Sequence, residues 1–370
     1  MRVCILANSA RYILNFRINL MRALKNAGYD VLVICPAGSE TYVLKSMGFR
    51  YINLPLSAMS INPFKEIRSI FVLRRLLDKE SVDVVLSSTP KGNIYTAIAN
   101  MLSKRIQIAN VSGLGSAHLS HGCISLILNI LYRIVFRKIN HVLFENETDH
   151  SDFLSRGLVG ANSSSVIPGL GVDLTHFYPV AYPDDYDNGS IRFLMIARLI
   201  RDKGVREYVA AARQIRTIWP QMQFELLGDS AAENPTRISL EEIDEWKSRG
   251  DIVHYEHTND VRPYIARAHC VVLPSYREGM SRALLEAGAI GRPLIVSDVP
   301  GCREAITVDV NGLLCEARSS SSLANAMIRF INIDWIRRQK MGRASRQKIV
   351  AEFSEDLVIK RYILLLARMT

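Results

Sequence analysis

Residues 270–301 read Cys-Val-Val-Leu-Pro-Ser-Tyr-Arg-Glu-Gly-Met-Ser-Arg-Ala-Leu-Leu-Glu-Ala-Gly-Ala-Ile-Gly-Arg-Pro-Leu-Ile-Val-Ser-Asp-Val-Pro-Gly. The apolar run 270–273 predicts a buried strand that ends at Pro274. A turn around Gly279 follows, then a helix over 283–290, and the second apolar run 294–296 closes a βαβ unit. Glu278 and Glu286 are eight residues apart, one in the loop and one on the helix. Unsatisfied backbone N–H groups at a helix start, with the helix dipole behind them, favour an anion near Gly279, Met280 and Ser281. Gly279 has no Cβ, so a ligand can approach the backbone closely. Glu286 is placed to accept both hydroxyls of a ribose, and Glu278 those of a group hanging from a diphosphate. The same spacing also fits a plain strand–loop–helix corner with two solvated glutamates.

The segment resembles the E-x7-E signature of family 4 retaining glycosyltransferases. It carries the E-G-x-x-x-x-x-L-E core and the trailing Gly291-Arg-Pro-Leu-Ile-Val-Ser-Asp-Val-Pro-Gly301. Upstream, an apolar run over 193–197 meets Arg198 and then Lys203-Gly204, similar to the family's G/A-R-x-x-x-x-K-G. The resemblance implies the GT-B fold: two facing Rossmann-like domains with mostly parallel sheets and an interdomain cleft. It also implies that Arg198 and Lys203 hold the donor diphosphate. Two cations there offset two phosphate charges and stabilise a departing nucleotide.

At 370 residues the chain is long enough for two domains, and 48% hydrophobic content lets each bury a core. Six scattered cysteines have no C-x-x-C spacing, which argues against a zinc site or a disulfide framework. The first residues are too short an apolar run for a signal peptide, and no stretch reaches the ~18–20 apolar residues that span a bilayer. No cofactor or metal is expected: the only D-x-D, Asp185-Tyr-Asp187, is in a polar segment.

Strand and helix signals alternate through both halves, predicting α/β architecture. The pattern breaks near 168–190, giving domains at 1–170 and 191–352 with a linker at 171–190. The resemblance implies that a terminal helix, 353–370, crosses back to the first domain. Ligands of such sheets bind beyond the carboxyl ends of the strands. The resemblance places nucleotide-sugar on the second domain and acceptor on the first.

Net charge is +10, and it is uneven. Residues 1–170 hold 19 Lys and Arg against 10 Asp and Glu; the remainder holds 27 against 26. The excess points to an anionic partner of the first domain. Helix 63–79 carries Lys65, Arg68, Arg74, Arg75 and Lys79 among Phe64, Ile67, Ile70, Phe71 and Leu76. An anionic membrane surface fits such a helix. The apolar run 123–138 fits either an interface or packing against the sheet. Nucleic acid is disfavoured, because no nucleic-acid motif occurs. Arg11, Asn15 and Arg17 are expected near the end of the first strand, on the acceptor and membrane side. His118, after the weak G-x-G of 113–115, is a candidate catalytic group or a structural histidine.

Across nearly its whole length the chain also resembles bacterial enzymes that extend undecaprenyl-diphosphate-linked glycans, N-acetylgalactosaminyltransferases among them. Residues carrying this include Asn15-Phe-Arg17, Gly113-Leu-Gly-Ser116 and Leu273-Pro-Ser-Tyr-Arg-Glu-Gly279. There are departures: Asn8-Ser-Ala-Arg11 replaces the common G-G loop, and Met280-Ser281-Arg282 stands where Phe-Pro or similar residues are frequent. The resemblance implies transfer of an N-acetylhexosamine from a UDP-sugar to a polyprenyl-diphosphate-linked saccharide, on the cytoplasmic face of a bacterial inner membrane. A UDP-sugar 2-epimerase of the same fold and a non-catalytic sugar-nucleotide binder are the alternatives.

Overall fold

The computed structural model describes all residues except 55–62, 114–131, 185–188, 231–233 and 370. His118, Asp185, Asp187 and most of the apolar run 123–138 therefore lie outside the described residues. The described chain divides into two compact units, Met1–Leu170 with Val358–Thr370, and Gly171–Leu357.

The first unit holds a seven-stranded parallel sheet in the order β3-β2-β1-β4-β5-β6-β7. Its strands are β1 Arg2–Leu6, β2 Asp30–Cys35, β3 Arg50–Asn53, β4 Val84–Ser88, β5 Ile106–Val111, β6 His141–Phe144 and β7 Ser164–Val166. The central strands are buried on both faces: β1 is apolar from Val3 to Leu6, while β4 and β5 carry buried Ser87, Ser88, Gln107 and Asn110 among their apolar residues. Val3 and Ile5 pack on one side with Val358, Tyr362 and Leu366 of the terminal helix Glu355–Met369. Cys4 and Leu6 pack on the other with Leu73, Phe144 and Phe153.

The segment after β1 is helical, not a loop. Helix Ala10–Phe16 begins where the Ser9 side chain accepts from the Tyr12 N–H at 3.2 Å.

The second unit holds a six-stranded parallel sheet in the order β10-β9-β8-β11-β12-β13. Its strands are β8 Arg192–Ile196, β9 Gln223–Leu227, β10 Val253–Tyr255, β11 Cys270–Leu273, β12 Leu294–Ser297 and β13 Gly312–Cys315. Counted along the chain this is the doubly wound 3-2-1-4-5-6 order, which reverses between β8 and β11. Much of 171–190, read from sequence as a linker, packs into this unit. Val172, Phe177 and Tyr182 are buried, and the Tyr182 hydroxyl donates to the His269 carbonyl at 2.8 Å.

His269 is buried and its Nδ1 accepts from the Arg192 N–H at 3.0 Å. Burial, reinforced by Arg338, Arg192 and Arg292, pushes its pKa down to about 4. The folded state thus favours neutral imidazole, so the associated stability is present above pH 6.5 and is lost as pH falls through about 4. Urea unfolding at pH 7 and pH 4.5 should differ by up to about 3 kcal/mol from this residue. His269→Gln should remove that portion of the difference; an unchanged pH dependence would count against the assignment.

Candidate donor site

The site is at the switch point of the second sheet, where β8 and β11 are neighbours. After β8 the chain passes Ala197 and Arg198 to a short 3-10 turn, Arg201–Lys203. Gly204, at φ +75°, then opens helix Val205–Arg216. A Cβ on Gly204 would stand 2.1 Å from the Pro274 carbonyl oxygen, so the β8 and β11 loops touch at a point only glycine allows. The loops are also stitched by hydrogen bonds. The Tyr276 N–H and the Ser275 hydroxyl both donate to the Asp202 carbonyl, at 2.9 and 3.1 Å. The Tyr276 hydroxyl donates to Glu207 Oε1 at 2.6 Å. Burial and this carboxylate push the phenol up to about 12.

This contact brings Lys203 and Glu278 together across 75 residues: Lys203 Nζ donates to Glu278 Oε1, and both side chains are largely buried. The backbone of Glu278 is held from its other side by the turn after β12. Its N–H donates to the Pro300 carbonyl at 3.1 Å, and the Ser281 N–H donates to the Gly301 carbonyl at 2.9 Å. Gly301, at φ +78°, would put a Cβ 2.5 Å from the Glu278 carbonyl oxygen. Its own N–H donates to Glu304 Oε2 at 2.7 Å.

Two expectations change here. The Ser281 amide is not free for an anion, because the turn after β12 supplies it with a carbonyl. The first turn of helix Arg282–Ile290 still offers amides without intrahelical acceptors, with Ala283 and Leu284 among them. Met280 packs against the core of this unit.

On that helix Glu286 is little exposed, and Arg282 Nε donates to its Oε1 at 2.7 Å. Burial raises the Glu286 pKa and Arg282 opposes the rise. Arg198 is exposed, and its side chain has no partner among the described residues. The second unit therefore presents one open cation, one cation paired with a carboxylate, a helix N-terminus and a second carboxylate. That set suits an anionic ligand rich in hydroxyls.

The residues expected on the acceptor side fall apart into three groups. Arg11 is exposed and pairs with Glu40 at 2.8 Å, holding that carboxyl below the usual range; Asn15 is exposed. Arg68, Arg74 and Arg75 are on helix Pro63–Lys79, where Arg74 reaches Asp78 at 4.0 Å. Arg17 is 4% exposed and faces no surface. Its Nη1 donates to the Tyr362 hydroxyl at 3.0 Å and its Nη2 to Ser88 Oγ at 2.9 Å. Burial opposes its charge, but Tyr362, Tyr12 and Glu145 outweigh that and hold it protonated. Sequence reasoning did not find the roles of Asp202, Glu207 and Arg282. A Pro-Gly pair at 300–301 is visible in the sequence, but not the loop it closes.

Both halves of the chain match known families. Residues 2–146 match the family described as glycosyl transferase 4-like, and residues 190–332 that described as glycosyl transferases group 1. The chain is a glycosyltransferase. Its relatives include the N,N'-diacetylbacillosaminyl-diphospho-undecaprenol alpha-1,3-N-acetylgalactosaminyltransferase of Campylobacter jejuni, 28% identical over 100% of this chain and 99% of its own. The UDP-Gal:alpha-D-GlcNAc-diphosphoundecaprenol alpha-1,3-galactosyltransferase of Escherichia coli is 26% identical over 91% of this glycosyltransferase and 88% of its own length. Among solved structures, Anabaena HepE in complex with UDP-glucose superposes with a TM-score of 0.80 at 17% identity, each chain covered in full. Sucrose-phosphate synthase from Thermosynechococcus elongatus gives 0.81 at 19% identity over 100% of this glycosyltransferase and 99% of that chain. The fold of this glycosyltransferase is GT-B.

Proposed function

We propose that the protein moves an N-acetylhexosamine, such as GalNAc, from a UDP-sugar to a polyprenyl-diphosphate-linked saccharide, with retention at the anomeric carbon. The reaction would serve bacterial surface-glycan or glycoprotein assembly. The observation that carries this reading is the Lys203–Glu278 pair at the β8–β11 switch point. It is supported by the full-length likeness to the Campylobacter jejuni enzyme. Arg198 and Lys203 offset charge that develops on the diphosphate as the nucleotide leaves. Glu278 orients the donor sugar, and Glu286 accepts the ribose hydroxyls. Glu278 pairs with Lys203, so a bound diphosphate would share that ammonium with it.

The first unit would take the lipid-linked acceptor, with the protein peripheral on the cytoplasmic face of the inner membrane. Among the described residues no helix is long and apolar enough to cross a membrane. Helix Pro63–Lys79 offers a docking face instead. Phe64 is 83% exposed and Phe71 61%, and with Ile67, Arg68 and Arg75 they share one side of the helix. Phe64→Ser with Phe71→Ser should weaken flotation with phosphatidylglycerol vesicles by at least about tenfold, given ~1.5–3 kcal/mol for each buried phenyl. Raised salt should weaken it further. Undiminished flotation of the double variant would remove this helix from the membrane contact.

The function is tested by incubating the pure protein with a panel of UDP-hexoses and UDP-N-acetylhexosamines, with and without a polyprenyl-diphosphate-linked saccharide. UDP release that needs one donor and the lipid acceptor is the expected result. Isomerised UDP-sugar formed without acceptor would replace transfer by epimerisation.

A further inference from the structure

Arg282 is the first residue of helix Arg282–Ile290, and its guanidinium reaches forward one turn to Glu286 at 2.7 Å. This pair contributes little to the helix. A cation in the first turn opposes the helix dipole, and Arg before Glu at i,i+4 is the weaker order of such pairs. It also occupies the helix start that faces the proposed donor diphosphate. We propose that Arg282 is a positioning residue for the donor: it fixes the Glu286 carboxylate in the orientation that receives the ribose diol. This rests on the assignment of Glu286 to the ribose.

The surroundings of Glu286 favour such a device. Burial works against its charge, and Arg282 is the group that opposes that. Helices Arg262–Arg267 and Trp335–Glu352, strands β11 and β12 and the turn Arg303–Ala305 pack on this helix. Their charged groups have other partners or face outward. Arg262 pairs with Asp260, Arg267 with Glu225 and Arg303 with Asp298. Glu304 accepts from the Gly301 N–H, and Arg346 donates to the Phe177 and Ala289 carbonyls. Arg338 is buried against the Phe330 ring, Lys348 pairs with Glu352, and Arg337, Lys340 and Arg343 are exposed. Without Arg282 the carboxyl would be protonated at a higher pH, and the neutral acid is the weaker acceptor.

The test is calorimetric titration of UDP and of inorganic pyrophosphate into wild type, Arg282→Gln, Arg282→Lys and Glu286→Gln at pH 6, 7 and 8. Arg282→Gln should bind UDP roughly tenfold more weakly than wild type at pH 6, with the gap narrowing by pH 8, and pyrophosphate equally well. Arg282→Lys should recover most of the loss. Wild-type UDP affinity in Arg282→Gln at every pH, with Glu286→Gln weakened, would overturn this inference alone. Weakened pyrophosphate binding in Arg282→Gln would overturn it too, by placing the guanidinium on phosphate. Wild-type UDP affinity in Glu286→Gln would overturn the ribose assignment beneath it.

Discussion

Glu278→Ala should lower acceptor-dependent UDP release by at least about 10²-fold while leaving a folded protein. Loss of the carboxylate removes the group assigned to orient the donor sugar. It also frees Lys203, a side chain that is now largely buried against it. A buried partner left alone is destabilising by about 1–3 kcal/mol, so a modest drop in melting temperature accompanies the loss of activity. Glu278→Gln separates the two effects, because the amide keeps the volume and still accepts a hydrogen bond from Lys203. Its stability should approach wild type and its turnover should not. Turnover near wild type in both variants, measured beside circular dichroism, would move the donor sugar elsewhere.

Arg292→Met should produce the largest loss of stability. Arg292 has no exposed surface and pairs with no carboxylate among the described residues. Its guanidinium donates instead to five carbonyls: Ile265 at 3.0 Å, Val180 and Gly291 at 3.2 Å, Ala181 at 2.8 Å and Ala266 at 2.6 Å. Burial lowers its pKa to about 10, which still leaves it charged at neutral pH. Methionine would fill the space and strand those oxygens, at about 3–5 kcal/mol in total. That corresponds to roughly 10 °C in the melting temperature of a unit this size. Arg292→Lys should not rescue it, because one ammonium cannot serve carbonyls arranged around a planar fork. A melting temperature within two or so degrees of wild type would show that water replaces the guanidinium at little cost.

Arg292 also marks where sequence reading reaches its limit. It is part of the quoted G-x-P motif, yet its partners Val180 and Ala181 were read as linker because that stretch is polar and rich in turn formers. Their packing follows from a buried arginine, which has no periodic signal. The buried strands were legible, since strands covered on both faces are rich in Val, Ile and Leu. The edge strand β3, Arg-Tyr-Ile-Asn, is half-exposed and short, and it gives no such run. Helix Ala10–Phe16 has only a local signal, the Ser9 cap whose partner is Tyr12, and no long apolar period to announce it. In the site, Glu278 and Lys203 were legible as motif members. Their direct pairing required the sheet order that sets β8 beside β11.

The terminal helix carries a consequence for biosynthesis. Val358, Tyr362 and Leu366 fill one face of the first sheet, and Tyr362 closes over the buried Arg17. The ribosome makes that sheet first, but 187 residues of the second unit must emerge before the closing helix appears. At about 5–20 residues per second this interval lasts roughly 10–40 s. Throughout it Val3, Ile5 and the Arg17 guanidinium lack their lid, so the nascent protein begins with the half that it completes last.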